Sequence, residues 1–424
     1  MRAIKTLILL VLMVLPAFLG DAETNAAPNV AASTGALAAG KDSLGLAYSV
    51  RGVVVDARTG GKMAAVGIRV SGRDYATVSN ADGGFIIKSD GPISELTFSY
   101  VGYQTLTLAV EGAEVTARMV QERNMLDASS IITGEPLEIV RSAVMSIPEN
   151  YPERAELLKC FYRETLQKRG RFISVSEAVS RVYKAPYRGL SYGDRVALDK
   201  SRVLVSQRGR DTLSVKVQGG PTLPITADLV GDGDMLLDDM LSGRYYMEML
   251  PPAYIGDRLQ FVIHFEPAVD CGYALFEGTM YIDRERLFFT RVEMSLDMSD
   301  PVLATRQLLQ KKPLGLRFTP KEVSFVINYG YDGAVCRMEY YRATYRFNCD
   351  WKKKMIATSY TVVNETVVTD IIRPVVPIGR EEQFRSSDSM ADKAAAFFDP
   401  EFWKGYNIIE PTESLEHAAK RLQR

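Results

Sequence analysis

Residues suited to catalysis are scarce in this chain. It has only two histidines, His264 and His417. A three-histidine metal centre therefore cannot be built from this chain alone. Any Ser–His–Asp arrangement would have to use one of the two. His264 sits between Ile263 and Phe265 in a strand-like run, with Gln260 and Val262 at the same parity. A structural histidine is expected there. His417 lies on the polar side of a helix-like stripe and is expected to meet solvent. Neither G-x-S-x-G nor H-E-x-x-H occurs. The densest acidic cluster is Asp228, Asp232, Asp234, Asp238 and Asp239. Calcium takes about six to eight oxygen ligands from a flexible loop. Gly231 and Gly233 supply flexibility, and Asp232 and Asp234 supply alternate ligands. Asp232, Asp234 and Asp238 are therefore the calcium candidates, and calcium is the one cofactor to consider. The EF-hand spacing fails, and a helix start with acids in its first turn competes. A glycosidase would need two carboxylates facing across a cleft, which spacing alone does not show.

The four cysteines are Cys160, Cys271, Cys336 and Cys349, with spacings of 111, 65 and 13 residues. No C-x-x-C is present, so zinc ribbons and thioredoxin chemistry are excluded. Cys336 and Cys349 bracket a strand-like run, which places them beyond disulfide reach. Buried free thiols are the expectation. Tyrosines number 21 against two tryptophans. Tyr183, Tyr187 and Tyr192 lie near Arg188, and Tyr245-Tyr246 follows the acidic run. Such residues suit protein or sugar recognition, but cross-strand packing is the commoner use in β-domains.

The elements that must position these residues follow from the whole chain. Its 424 residues allow two or three domains. Lys and Arg number 51 and Asp and Glu 52, so no basic surface speaks for nucleic acid. Arg2 and Lys5 precede an apolar run from Leu7 to Leu19, followed by Gly20-Asp21-Ala22. This reads as a secretory signal peptide at 1–22, too short for a transmembrane helix. Export to the periplasm or the outer-membrane surface is expected, with peripheral membrane association open. Residues 23–47 are rich in Ala, Ser and Gly and read as a flexible linker.

A β-texture begins at Tyr48. Val66, Ile68 and Val70 alternate with Gly67 and Arg69, and Leu96, Phe98 and Tyr100 alternate with Thr97 and Ser99. Thr77-Val78-Ser79-Asn80 leads to Asp82-Gly83, a hairpin signal. Six or seven short strands argue for an antiparallel sandwich at 48–122. A tight turn is the expected role of Asn80, Asp82 and Gly83. Gly52-Val53-Val54-Val55-Asp56, Thr59-Gly60, Thr77 to Phe85, and Phe98-Ser99-Tyr100-Val101-Gly102-Tyr103 resemble the carboxypeptidase regulatory-like domain. That resemblance implies a transthyretin-like sandwich without catalytic activity. Such domains often precede other modules in exported proteins of Gram-negative bacteria.

Residues 123–158 read as a helical connector, with Pro136 in a first helical turn and Pro148 and Pro152 ending it. A large antiparallel β domain is expected at 159–376. Phe161–Lys168 and Phe172–Tyr183 flank Arg169-Gly170 as a long hairpin. Phe288, Thr290, Val292, Met294 and Leu296 line one face, with Phe289, Arg291, Glu293 and Ser295 on the other. Tyr341, Ala343, Tyr345 and Phe347 oppose Tyr340, Arg342, Thr344 and Arg346. One face should pack and the other meet water. Phe276 to Asp283 and Leu287 to Glu293 resemble the strand pair of periplasmic lipoprotein carriers, whose half-barrels hold acyl chains. Asn150-Tyr151-Pro152 through Phe161-Tyr162-Arg163-Glu164 resembles the domain that follows the regulatory-like module elsewhere, which implies no activity. A helical tail is expected at 377–424, with Leu415, Ala418, Ala419 and Leu422 on one stripe.

The fold class is thus mainly β: a seven-stranded sandwich, then a larger antiparallel domain, open to a half-barrel form, with few helices. The leading expectation for function is a non-enzymatic exported binding or assembly protein. Its partner would be an envelope protein, a glycan or a lipid. A lipid or lipoprotein carrier is the alternative, and a carboxylate-dependent hydrolase is third.

Overall fold

The computed structural model describes residues 13–14, 48–122, 134–187, 193–206, 208, 215–231, 236–309, 315–351, 357–394 and 409–422. The expected linker and most of the expected signal peptide lie outside the described residues. Within the segment expected to be a signal peptide, β1 (Met13–Val14) pairs with β12 (Val215–Lys216).

The N-terminal sandwich uses β2 (Tyr48–Asp56), β3 (Gly67–Val70), β4 (Ala76–Val78), β5 (Gly84–Ser89), β6 (Glu95–Ser99), β7 (Leu106–Ala109) and β8 (Glu114–Met119). These form a three-stranded sheet, β5-β2-β8, against a four-stranded sheet, β4-β3-β6-β7. The alternation read from the sequence points Ile68, Val70, Leu96 and Phe98 into one core. Phe85 and Phe98 meet edge to face there, with ring centroids 5.6 Å apart.

Two details depart from expectation. The sandwich is not wholly antiparallel, because β2 pairs with β8 in parallel. Gly52 permits that approach: a Cβ there would lie 2.0 Å from the Val115 carbonyl oxygen. The turn at Asn80–Gly83 is tight, and the Asn80 side chain accepts from the Asp82 and Gly84 amides at 2.9 and 2.8 Å. Yet β4 and β5 do not pair as a hairpin, since they belong to opposite sheets. Turn chemistry specifies a reversal of direction, and tertiary packing decides which sheet each arm joins.

In the connector, α1 (Pro136–Met145) carries Pro136 in its first turn. Pro148 does not end a helix; it lies in the first turn of α2 (Ile147–Asn150).

The second region is one sheet of eleven strands. The strands are β9 (Glu156–Lys168), β10 (Arg171–Lys184), β11 (Arg195–Val205), β13 (Tyr245–Ile255), β14 (Arg258–Pro267), β15 (Phe276–Asp283), β16 (Phe289–Leu296), β17 (Leu316–Tyr331), β18 (Cys336–Trp351), β19 (Thr358–Ile372) and β20 (Gln383–Phe384). Their order is β13-β14-β15-β16-β17-β18-β19-β9-β10-β11-β20, so the sheet stays open. The β9–β10 hairpin is as expected, turning on Arg169 and Gly170, both with positive φ. Strand β16 is not as expected. Its register shifts opposite Tyr281 and Ile282, so Phe288 and Phe289 both enter the core despite adjacent positions.

The inner face carries the helices, with Leu223 of the short α3 (Leu223–Thr226) against its core. Ile139, Val140 and Ala143 of α1, Leu236, Leu237 and Met240 of α4 (Leu236–Leu241), and Ala304 and Leu308 of α5 (Pro301–Leu308) pack on Phe265, Met280, Val292, Phe325 and Tyr341. At the β9–β11 end, Phe384 and α6 (Met390–Lys393) cover Leu158, Cys160 and Ala178.

The outer face does not simply meet water. Ala65 and Val78 of the sandwich pack with Phe161, Val179, Tyr340 and Val367 of the sheet and Ile409 of the tail. This is why Tyr340 is buried at outward parity. The last helix, α7 (Glu413–Leu422), lays Leu415 and Leu422 on Val175 of this same face. The Asn80 turn holds the tail in place. Asn80 donates to the Glu410 carbonyl at 2.9 Å, and Asp82 accepts from the Glu413 amide at 2.9 Å.

Candidate binding row on the inner face of the sheet

The register of four strands sets up the site. Ala343 of β18 faces Asn364 of β19, Asn364 faces Glu164 of β9, and Glu164 faces Ser176 of β10. These residues form one row across the inner face. Two residues along each strand, Thr366 faces Tyr162, and four along, Ser180 faces Cys160. Beside the apolar side chains of that face, the row is polar and buried: Asn364 is 0% exposed, Ser176 1% and Glu164 8%.

The hydrogen bonding of this row is incomplete. Among the described residues, eight buried side-chain polar atoms lack a partner, and five of them sit here. They are Asn364 Nδ2 and Oδ1, Ser176 Oγ, Ser180 Oγ and Thr366 Oγ1. An unsatisfied buried polar atom costs about 1–3 kcal/mol, so the row weakens the fold unless water or a ligand completes its bonding. The row's one internal bond runs from the Tyr162 hydroxyl to Glu164 Oε2, at 2.9 Å. Burial pushes the Glu164 carboxyl up to about 7, against the lowering effect of that bond. Tyr341 and Tyr345, hydrogen-bonded to each other, border the row on β18. The nearby cations are on the other face, where Arg163 and Arg202 both pair with Glu177.

A second polar cluster closes one end of the inner face. Asp228, fully buried, accepts from Tyr187 at 3.1 Å and from Tyr329 at 2.9 Å, and pairs with Lys184 at 3.1 Å. Asp194 holds the same Lys184 at 2.8 Å. Burial pulls the Lys184 ammonium down, but Asp228 and Asp194 outweigh it and raise it. Lys184 is on β10 and Tyr329 on β17, four strands apart in the sheet. At ~4.8 Å per strand that is roughly 19 Å. Side chains stand nearly perpendicular to a sheet, so sharing one carboxylate requires the sheet to curl inward.

The acidic run read from the sequence is dispersed by the fold. Asp232 and Asp234 lie outside the described residues. Asp238 is on the exposed side of α4. Asp239 pairs with Arg244 at 2.6 Å and accepts from Tyr273 at 2.9 Å. Asp228 belongs to the buried clasp. Among the described residues, no group of three or more His, Cys, Asp or Glu side chains is placed to hold a metal ion. All four cysteines are free, and burial raises the Cys160 thiol to about 12. His264 is partly exposed on β14, 3.7 Å from Glu266. Tyr187 serves the clasp rather than a platform, whereas Tyr246 is exposed.

Sequence reasoning missed Glu164, Asn364 and Ser176 as a group. The available signal was an acid at the parity of Tyr162 and Leu166, and an amide at the parity of Val362 and Thr366. Parity alone could not say that these strands are neighbours.

Residues 50–131 match the family model of the CarboxypepD_reg-like domain. No curated protein matches the chain. Among solved structures, a DUF1329 family protein from Desulfovibrio piger is similar at 8% identity, over 57% of this chain and 96% of that one, with a TM-score of 0.23. A LolA superfamily protein from Nitrosomonas europaea is similar at 9% identity, over 56% and 94%, with a TM-score of 0.21. Both superpositions are too loose to carry an argument about this chain.

Proposed function

We propose that the chain is an exported, non-enzymatic binding protein of the bacterial cell envelope. Its curled sheet holds the ligand, and its regulatory-like sandwich braces the outer face. The observation that carries this reading is the buried inner row of Asn364, Ser176, Ser180 and Thr366, whose polar atoms have no partner in the fold. Such groups are costly in a sheet unless water or a ligand completes their bonding. A hydrolase would need a second carboxylate facing the first, and the row contains one, Glu164. Export rests on the basic, apolar and small-residue sequence of the first 22 residues.

The test is native mass spectrometry of the full chain purified from a cell-envelope extract, read against its denatured mass. A retained non-covalent mass, lost in Asn364→Ala, is expected. An acyl-chain mass would make the protein a lipid carrier. Absence of any retained mass, with no envelope protein captured by crosslinking, would sink the reading. An N-terminus still beginning at Met1 in the envelope fraction would count against signal cleavage.

A further inference from the structure

We infer that the seam between the sandwich and the outer face of the sheet is a peptide-binding site, and that residues 409–422 fill it as a tethered ligand. The site takes an aliphatic–acidic step ahead of an amphipathic helix. It lies on the face opposite the inner row and does not depend on what that row binds.

The backbone of this segment is held by the rest of the molecule. Residues 409 and 410 belong to no strand or helix, so regular structure gives their carbonyls no partner. Side chains from both modules meet them. Arg163 of β9, only 3% exposed, donates to the Ile409 carbonyl at 2.7 Å. Asn80 of the sandwich donates to the Glu410 carbonyl. The first amide of α7, which no helical turn can satisfy, donates to Asp82. Main-chain bonds that hold a segment, joined to a side-chain pocket that selects it, are the working parts of a peptide site.

The pocket is there as well. Val78 of the sandwich and Phe161, Val179, Tyr340 and Val367 of the sheet enclose Ile409. Glu410 follows, 3.5 Å from Arg51 of β2. That pair is partly in water, so it sets register more than strength. Thr412 then caps α7, its hydroxyl oxygen accepting from the Leu415 amide at 3.2 Å. The helix lays down Leu415, Ala418 and Leu422 and leaves Glu413, Glu416, His417 and Lys420 exposed.

Two features separate a docked ligand from a piece of core. Asn80 is divided between two tasks. Its oxygen serves the turn, accepting from the Asp82 and Gly84 amides, and its nitrogen serves the tail. An aspartate would make the same turn and lack the donor. The second feature is the helix itself. At ten residues it is shorter than the ~12–15 at which isolated helices become marginally stable. It is therefore helical because it is docked, and it should order and leave as a unit.

The experiment first follows hydrogen exchange in the full wild-type chain. The Glu413 and Leu415 amides are expected to exchange well before those of Phe161 and Arg163 in β9, as a segment that opens on its own. Equal protection would overturn the inference, because the tail would then open only with the sheet. A fluorescent peptide of residues 409–422 is next titrated against full-length wild type and Ile409→Asp. The buried charge expels the variant's own tail, so saturable uptake is expected there. Wild type should take up the peptide roughly tenfold more weakly or worse, since its tethered tail competes at about millimolar effective concentration. Adding Asn80→Asp to the Ile409→Asp chain should weaken uptake by a similar factor. No uptake by Ile409→Asp, with circular dichroism showing the sheet intact, would overturn the site, as would uptake untouched by Asn80→Asp. If Ile409→Asp does not fold, Asn80→Asp alone decides. It should speed exchange at Glu413 and Leu415 and leave β9 unchanged, and no acceleration overturns the site. A wild-type dimer lost in Ile409→Asp would overturn the tethering and assign the tail to a second copy.

Discussion

Two buried polar clusters share the inner face of one sheet, and they are built in opposite ways. In the Asp228 clasp, both carboxylate oxygens are bonded, and the lysine has two carboxylate partners. In the Asn364 row, the amide has none, and three neighbouring hydroxyls have none. Burial is similar in the two, so burial does not distinguish them. Satisfaction does. A completed network fixes the curvature of a fold, whereas an incomplete one leaves bonds for something else to make.

That contrast can be broken by mutation, and the clasp should give the largest effect. Asp228→Ala strips Tyr187, Tyr329 and Lys184 of a shared partner. Loss of one member of a buried charge pair costs about 3–5 kcal/mol. Urea unfolding should show a loss of that order; a change below 1 kcal/mol would mean the clasp does not hold the curl.

Next is the pH response of Glu164. The folded carboxyl keeps its proton up to about 7, whereas its ordinary value is 4.5. The folded state therefore binds the proton more tightly, and stability is full below about 4.5 and falls as pH rises through about 7. At ~1.4 kcal/mol per pKa unit, the loss is roughly 3–4 kcal/mol. The phenols facing it, Tyr162 and Tyr345, stay neutral across that window, since burial raises both. Glu164→Gln should flatten the stability profile between pH 5 and 8 (a window chosen around the neutral range of ~5–8). An equal slope in the variant would place the titrating group elsewhere.

Asn364→Ala should move stability the other way, with a gain of about 1 kcal/mol, seen as a higher urea midpoint. The smallest effect is expected in the sandwich. Asp56 accepts from the Thr59 amide at 2.6 Å and the Tyr103 hydroxyl at 2.8 Å. The Thr59 amide first, and then Tyr103, hold its carboxyl down at about 2. Its contribution is present above an ordinary value of 3.8 and is lost as pH falls through about 2. Asp56→Asn should change acid unfolding in that window and leave neutral pH nearly untouched. A large shift at neutral pH would contradict this.

Local signals read well wherever one element decides the outcome. The Ile68–Val70 and Leu96–Phe98 alternation, the β9–β10 hairpin, the Pro136 helix start and the Leu415 stripe were all legible, because alternation, turn residues and helical spacing act within a few residues. Reading failed where two distant segments compete. The Asn80 turn predicted a hairpin, but β4 and β5 join different sheets. Outward parity predicted a wet Tyr340, but the sandwich covers it. The parity of Phe288 and Phe289 failed at a one-residue register shift that only the partner strand reveals.

The amino-acid sequence by itself determined the class of this protein. Alternating apolar residues make strands, Gly and Asx residues reverse them, and the motifs from Gly52 to Tyr103 identify the first domain, which the family match at 50–131 supports. The tertiary structure alone decided where its polar groups meet. Asn364 lies 200 residues from Glu164 in the chain, yet the two face each other across adjacent strands. Strand order depends on the summed burial of the whole sheet, and no local window carries that sum. The same long-range packing brings Lys184 and Tyr329 to one carboxylate and leaves Asn364 with nothing to bond.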